Sequence, residues 1–275
     1  MLQNAPIGIF DSGYGGLTVF RAIADRLPAY DYIYLGDNAR SPYGDQPFDV
    51  IYKYTLECVD WLFSQGCELI ILACNTASAK ALRTIQERDL PLKYPNKRVL
   101  GVIRPTAEII GGFTESKSVG IMGTRGTVNS GSYLLEIQKF FPELNVFQQS
   151  CPMWVPLIEN NEYLQPGADF FVEEYCSALL AQDEAIDCVL LACTHYPLLL
   201  PKLENFFPSN IKILSQGSIV ANSLADYLAR HPEMEKRLSK TREKKFYTSG
   251  DLSSFNQHGS HFFGELITSN KVILD

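Results

Sequence analysis

Leu69-Ile70-Ile71-Leu72-Ala73-Cys74-Asn75-Thr76 and Val189-Leu190-Leu191-Ala192-Cys193-Thr194-His195 read as two versions of one pattern. Each is an apolar run of strand length, then Ala-Cys, then a residue bearing a hydroxyl or an amide. A helix-like segment follows each, Ala77 to Gln86 in the first and Pro197 to Phe207 in the second. A short run of bulky apolar residues closed by polar punctuation predicts a strand buried on both faces, as in a parallel sheet. In open α/β sheets ligands bind just beyond the carboxyl ends of such strands. The pattern therefore predicts two thiols, Cys74 and Cys193, where a substrate would sit.

Strands and helices alternate on either side of these runs. Ile7-Gly8-Ile9-Phe10 predicts a first strand, followed by the turn Asp11-Ser12-Gly13-Tyr14-Gly15-Gly16 and a helix from Leu17 to Arg26. Such a turn aims backbone N–H groups at a ligand, although its spacing is not that of a dinucleotide site and a plain tight turn is an equal reading. Tyr32 to Gly36 predicts a second strand, which opens into the polar loop Asp37-Asn38-Ala39-Arg40-Ser41-Pro42-Tyr43-Gly44. An amphipathic helix is expected over residues 47–65, stopped at Gly66. Arg98 to Ile103 predicts a strand closed by Arg104-Pro105. At Ser118-Val119-Gly120-Ile121-Met122-Gly123-Thr124-Arg125-Gly126-Thr127 the opening pattern returns. Gly8 to Gly120 is an offset of 112 and Cys74 to Cys193 one of 119, so an internal duplication is expected. Asp11 then falls opposite Gly123, and Ser12 opposite Thr124.

Further strands are expected at Leu144 to Phe147, Ile211 to Leu214 and Lys244 to Thr248, the last of these being the final one. Further helices are expected from Ala168 to Gln182 and from Ser218 to His231. The prolines between Cys151 and Glu159 predict a loop. The fold class is therefore α/β: two similar domains with mainly parallel sheets, related by pseudo-twofold symmetry, with the active site in the cleft between them. The first domain is expected to comprise residues 1–98 plus 212–275, and the second residues 99–211.

The net charge of −7 argues against a general nucleic-acid surface. No apolar run is long enough for a membrane helix, and Met1-Leu2-Gln3-Asn4-Ala5-Pro6 lacks the pattern of a secretory signal. Seven cysteines with no Cys-x-x-Cys suit a reducing cytosol. Cys58, Cys67, Cys176 and Cys188 read as core residues.

A matched pair of strand-end thiols suits inversion at a carbon bearing an acidic hydrogen. One base removes the proton from one face, and an acid returns another to the opposite face. A thiol, with a reference pKa of about 8.5, can reach either protonation state near neutrality, and a helix N-terminus just after each Cys would favour the thiolate. Each residue also has a plainer reading. Asp11 could assist Cys74 or bind an ammonium, or could cap a helix. His195 could assist Cys193, or could bond only to backbone. Glu159 and Glu162 could supply an acid, or could be solvated loop residues. Ser12, Asn75, Thr76, Thr124, Thr127 and Thr194 could hold carboxylates or cap helices. A zinc site from Cys74, Cys193 and His195 fits poorly with ligand spacing. A protease-like Cys-His nucleophile would leave the second thiol without a role.

Phe10-Asp11-Ser12-Gly13-Tyr14-Gly15-Gly16-Leu17-Thr18 resembles the opening signature of glutamate racemases. So do Gly36 to Gly44, Ala73-Cys74-Asn75-Thr76-Ala77-Ser78 and Cys193-Thr194-His195-Tyr196-Pro197. The four matches run in order from residue 7 to about residue 251; Cys-Asn-Thr and Cys-Thr-His also resemble the wider aspartate/glutamate racemase superfamily. The resemblance implies a bacterial cytoplasmic isomerase that interconverts L- and D-glutamate without cofactor or metal, for peptidoglycan synthesis and cell shape. It implies Cys74 acting on the D-enantiomer and Cys193 on the L-enantiomer, assisted by Asp11, His195 and Glu159, with Glu162 close enough to compete. It implies that Asp11, Ser12, Tyr43, Gly44, Asn75, Thr76, Thr124, Thr127, Thr194 and His195 line the substrate. Racemases of this kind are often homodimers, but no stripe in the sequence marks an interface.

Overall fold

The computed structural model describes residues 5–274. Part of the opening stretch read as lacking a secretory signal, residues 1–4, lies outside them. Ten strands form two sheets: β1 (Ile7–Asp11), β2 (Tyr32–Gly36), β3 (Leu69–Leu72), β4 (Arg98–Gly101), β5 (Ser118–Gly123), β6 (Asn145–Ser150), β7 (Cys188–Ala192), β8 (Lys212–Leu214), β9 (Lys244–Thr248) and β10 (Ser269–Lys271). One sheet has the order β10-β9-β2-β1-β3-β4 and the other β6-β5-β7-β8, and every strand pairing within each is parallel. The order β2-β1-β3-β4 recurs as β6-β5-β7-β8, which is the expected duplication. Gly8 and Gly120 each lie on the first strand of their half, while Asp11 and Gly123 each end that strand.

The apolar runs become interior strands for the reason that made them readable. Leu69–Leu72 and Cys188–Ala192 are buried along their whole length, because helices cover both faces of a parallel sheet. The Gly16–Arg26 helix turns Leu17, Phe20, Ile23 and Ala24 inward at helical spacing. Phe20 packs on Tyr32, Tyr34, Phe246 and Phe263. The two halves share one apolar core, since Ile7, Phe20 and Tyr34 belong to the same cluster as Trp154, Val189 and Leu191. All seven cysteines are free and buried. Among the described residues no helix is long and apolar enough to cross a membrane.

Several expectations need correction. The crossings expected at residues 98 and 212 each come one strand early: β4 pairs with β3 in the first sheet, and β8 with β7 in the second. Ile103 does not end a strand but opens the Ile103–Ala107 helix. The segment before Glu159 is not a loop, because Trp154–Glu159 is helical. Pro156 is the third residue of that helix, where its missing N–H would have had no partner in any case. The segment after Cys74 turns helical at Asn75, two residues before the expected start, and continues through a wider turn at Ile85–Asp89 to Lys93. β9 is not the last strand, since the Leu252–Phe263 helix and β10 follow it.

Candidate active site

β1 and β3 are neighbours from which the chain leaves in opposite directions across the first sheet, so their carboxyl ends form a switch point. Asp11 ends β1, and Cys74 lies just past β3. Asp11 is fully buried; its Oδ2 accepts from the Gly13 N–H at 2.9 Å, and its Oδ1 accepts from the Thr194 hydroxyl at 3.4 Å. Burial raises the Asp11 carboxyl above its ordinary value, against the pull of the His195 charge and the Gly13 and Gly16 N–H groups. Cys74 is the N-cap of the Asn75–Lys80 helix, with its Sγ 3.4 Å from the Ala77 N–H and 3.4 Å from the Ser12 Oγ. The expected help from a helix start is therefore present but outweighed. Burial, reinforced by the Asp11 charge, pushes the Cys74 thiol up to about 12, so Cys74 carries its proton.

The second half repeats the arrangement with different chemistry. Cys193 lies just past β7, and a tight turn at Tyr196–Leu199 follows in place of an immediate α-helix. Its partner is a side chain: Sγ is 3.9 Å from His195 Nδ1. On the far side of the ring, His195 Nε2 lies 2.9 Å from Glu159 Oε1. Burial works against a charged imidazole, but Cys193 and Glu159 outweigh it and raise His195 to about 10. Glu162 lies in the short turn Glu162–Leu164 and is exposed, so Glu159 is the acid that touches His195.

The loop between Asp37 and Gly44 is built around buried Asp37. That carboxylate accepts from Arg40 Nε at 2.6 Å, from the Ser249 hydroxyl at 2.6 Å and from the Tyr43 hydroxyl. Arg40 also pairs with Glu57. The Tyr43 hydroxyl is thus committed inside the loop. From the other half, Thr124 caps the Arg125–Ser130 helix and its hydroxyl lies 3.0 Å from that of Thr76.

These pieces enclose a cavity of about 40 Å³ lined from both sheets, room for one or two waters. Cys74, Cys193 and His195 line it, as do Ser12, Tyr43, Gly44, Asn75, Thr76, Thr124 and Thr194. Asp11, Glu159 and Thr127 do not reach it and stand one layer behind. Thr127, fully buried, supports the hydroxyls of Thr76 at 3.4 Å and Thr124 at 3.1 Å. Sequence reasoning missed Ser41, Pro42, Asp45, Arg125, Cys151, Pro152, Val155 and Pro156 in the lining. Ser41 and Arg125 lay inside stretches already singled out. Val155 and Pro156 enter through the helix that the prolines disguised, and Cys151 and Pro152 lie between β6 and that helix.

Gly15 is fixed by the same geometry. A Cβ there would lie 2.3 Å from Thr194 Oγ1 and 2.4 Å from His195 Nδ1. Gly15→Ala is expected to lower kcat roughly 10²-fold by displacing the imidazole. Steady-state turnover checks this, and a kcat at the wild-type level would show that the ring's position is not critical.

Residues 7–224 match the family model described as Asp/Glu/Hydantoin racemase. A glutamate racemase of Streptococcus gordonii is 35% identical, covering 99% of this chain and 100% of that protein. Among solved structures, glutamate racemase isoform RacE1 of Bacillus anthracis is similar at a TM-score of 0.89 and 31% identity, over 99% of this chain and 98% of that one. A glutamate racemase of Francisella tularensis, solved in complex with D-glutamate, is similar at 0.87 and 31%, over 99% and 98%. With this match of sequence and fold over its whole length, the chain belongs to the glutamate racemases of the Asp/Glu/hydantoin racemase family.

Proposed function

We propose that the chain interconverts L- and D-glutamate by two thiols acting on opposite faces of the α-carbon, without a cofactor. The observation that carries this reading is the placement of Cys74 and Cys193 at equivalent strand ends of two sheets, facing one cavity. Their surroundings suit the L-to-D direction. Cys193 takes the α-hydrogen as a proton, with the His195 ring in reach to manage the thiol's own proton. Cys74, held as a thiol, delivers its proton to the other face. Glu159 steadies the imidazole and Asp11 sits behind the Cys74 side. N–H and hydroxyl groups of Ser12, Asn75, Thr76, Thr124 and Thr194, with the Tyr43-Gly44 backbone, hold the carboxylates and stabilise the carbanion. In the cell, this activity supplies D-glutamate for peptidoglycan from the bacterial cytoplasm.

Incubation with each enantiomer of glutamate in heavy water tests the reading. Interconversion is expected with deuterium entering at Cα. Interconversion without deuterium would rule out proton abstraction, and faster turnover of aspartate than of glutamate would reassign the substrate.

A further inference from the structure

Gln216 is almost completely buried and lies far from Cys74 in sequence, yet its side chain ends one residue away from the site. Its Oε1 accepts from Asn75 Nδ2 at 2.6 Å, and its Nε2 donates to Tyr133 Oη at 2.7 Å. Tyr133 Oη in turn donates to Asn75 Oδ1 at 2.5 Å. The three side chains close a ring in which every hydrogen bond runs the same way round. Gln216 Nε2 also faces Val102 O at 3.1 Å and Thr106 Oγ1 at 3.0 Å. All four polar side chains of this cluster are buried, with Tyr133 and Thr106 fully so.

The direction of the ring follows from one atom. Val102 O is a backbone carbonyl and can only accept, so the Gln216 amide must turn its nitrogen toward it. Gln216 Oε1 is then the atom facing Asn75, which must present its own nitrogen. Asn75 Oδ1 is left to face Tyr133, whose oxygen already accepts from Gln216 and whose proton goes to Asn75. The chain uses one Asn75 N–H in the ring and leaves the second unused. Asn75 lines the cavity beside Cys74, so that second N–H is the donor the ring offers to a bound anion.

The cluster also sits where the two halves join. Val102 follows β4, where the chain leaves the first sheet, and Gln216 opens the Gln216–Arg230 helix, where the chain returns from the second. Tyr133 belongs to the second half and Asn75 to the first. The ring therefore ties both connections to the residue next to the reactive thiol.

We propose that Gln216 and Tyr133 are positioning residues that hold the Asn75 amide with its free N–H toward a carboxylate of the substrate. This rests on the glutamate reading above. Nothing in the spacing of Asn75, Tyr133 and Gln216 suggests the link, since residues 75 and 216 are 141 positions apart.

The test compares wild type, Gln216→Met, Tyr133→Phe and the double variant, by KM and kcat for both enantiomers together with thermal unfolding. Met and Phe keep the volume and remove the hydrogen bonds. A carboxylate bond held equally in ground and transition states is lost as KM with kcat kept. About a tenfold rise in KM is therefore expected in each single variant. Because both break the same ring, the double variant should be little worse than either single one. A merely structural role would lower the melting temperature and the active fraction and leave KM unmoved. If Gln216→Met does not fold, Tyr133→Phe decides alone. An unchanged KM in a folded variant while wild type turns over glutamate overturns this inference alone, and so do independent, additive effects in the double variant. Absence of wild-type turnover overturns the functional reading, and this inference with it.

Discussion

Cys74→Ser and Cys193→Ser are each expected to lower glutamate interconversion by about 10³-fold, while leaving the fold intact. Serine keeps the shape of the side chain but is a far poorer proton carrier near neutrality, and loss of a positioned acid or base costs about 10²–10⁴-fold. Folding and chemistry separate well at Cys74. It is the N-cap of the Asn75–Lys80 helix, and serine is a preferred residue at that position. Cys74→Ser should therefore match or exceed wild type in melting temperature while losing turnover. The two variants should also differ from each other. Cys193 has a ring nitrogen beside it, whereas the neighbours of Cys74 are a hydroxyl and a backbone N–H. Deuterium uptake from heavy water, starting from each pure enantiomer, checks both points. Either variant turning over within tenfold of wild type would contradict a two-thiol mechanism.

The parts of this molecule that could be read from its sequence share one physical property: they are local. β3 and β7 announce themselves because a strand covered on both faces leaves no polar alternation, and each thiol follows directly on its run. The repeated strand order follows from the same runs. What could not be read depends on contacts distant in sequence, or on position within an element. Pro156 argues against a helix in general, and only its place in the first turn of Trp154–Glu159 makes it harmless. β10, with the sequence Ser-Asn-Lys, is a short edge strand with no apolar run to mark it. The Leu252–Phe263 helix carries Gly259 in its middle, where a Cβ would come within 2.6 Å of Ile267. In the site, the hydroxyl of Tyr43 is spent on Asp37, and Thr127 stands behind Thr124, although both residues lie in stretches that could be singled out.

The pair His195 and Glu159 supplies the second large effect. His195→Asn is expected to lower turnover by roughly 10²-fold or more, since it removes the group that exchanges a proton with Cys193. Glu159→Gln keeps the size of the partner but removes its charge, and so it isolates the electrostatic part. In the folded chain His195 is raised to about 10 against burial by Cys193 and Glu159, whereas an unfolded histidine titrates near about 6.5. A group raised on folding stabilises the fold fully below its unfolded value, and that contribution is lost as pH rises through the folded value. The window therefore runs from about 6.5 to about 10. Without the carboxylate the folded value of His195 falls and the Glu159 share of that contribution goes with it, while the share from Cys193 stays. Wild type should thus exceed Glu159→Gln in melting temperature most clearly near and below neutral pH, and the two curves should converge as pH approaches about 10. Thermal unfolding of both proteins from pH 6 to pH 10 measures the difference directly, with groups common to both cancelling. A gap that stays constant or widens toward alkaline pH would mean that Glu159 does not hold a charged imidazole. Its bond to His195 would then orient a neutral ring, leaving Cys193 without a cation beside it.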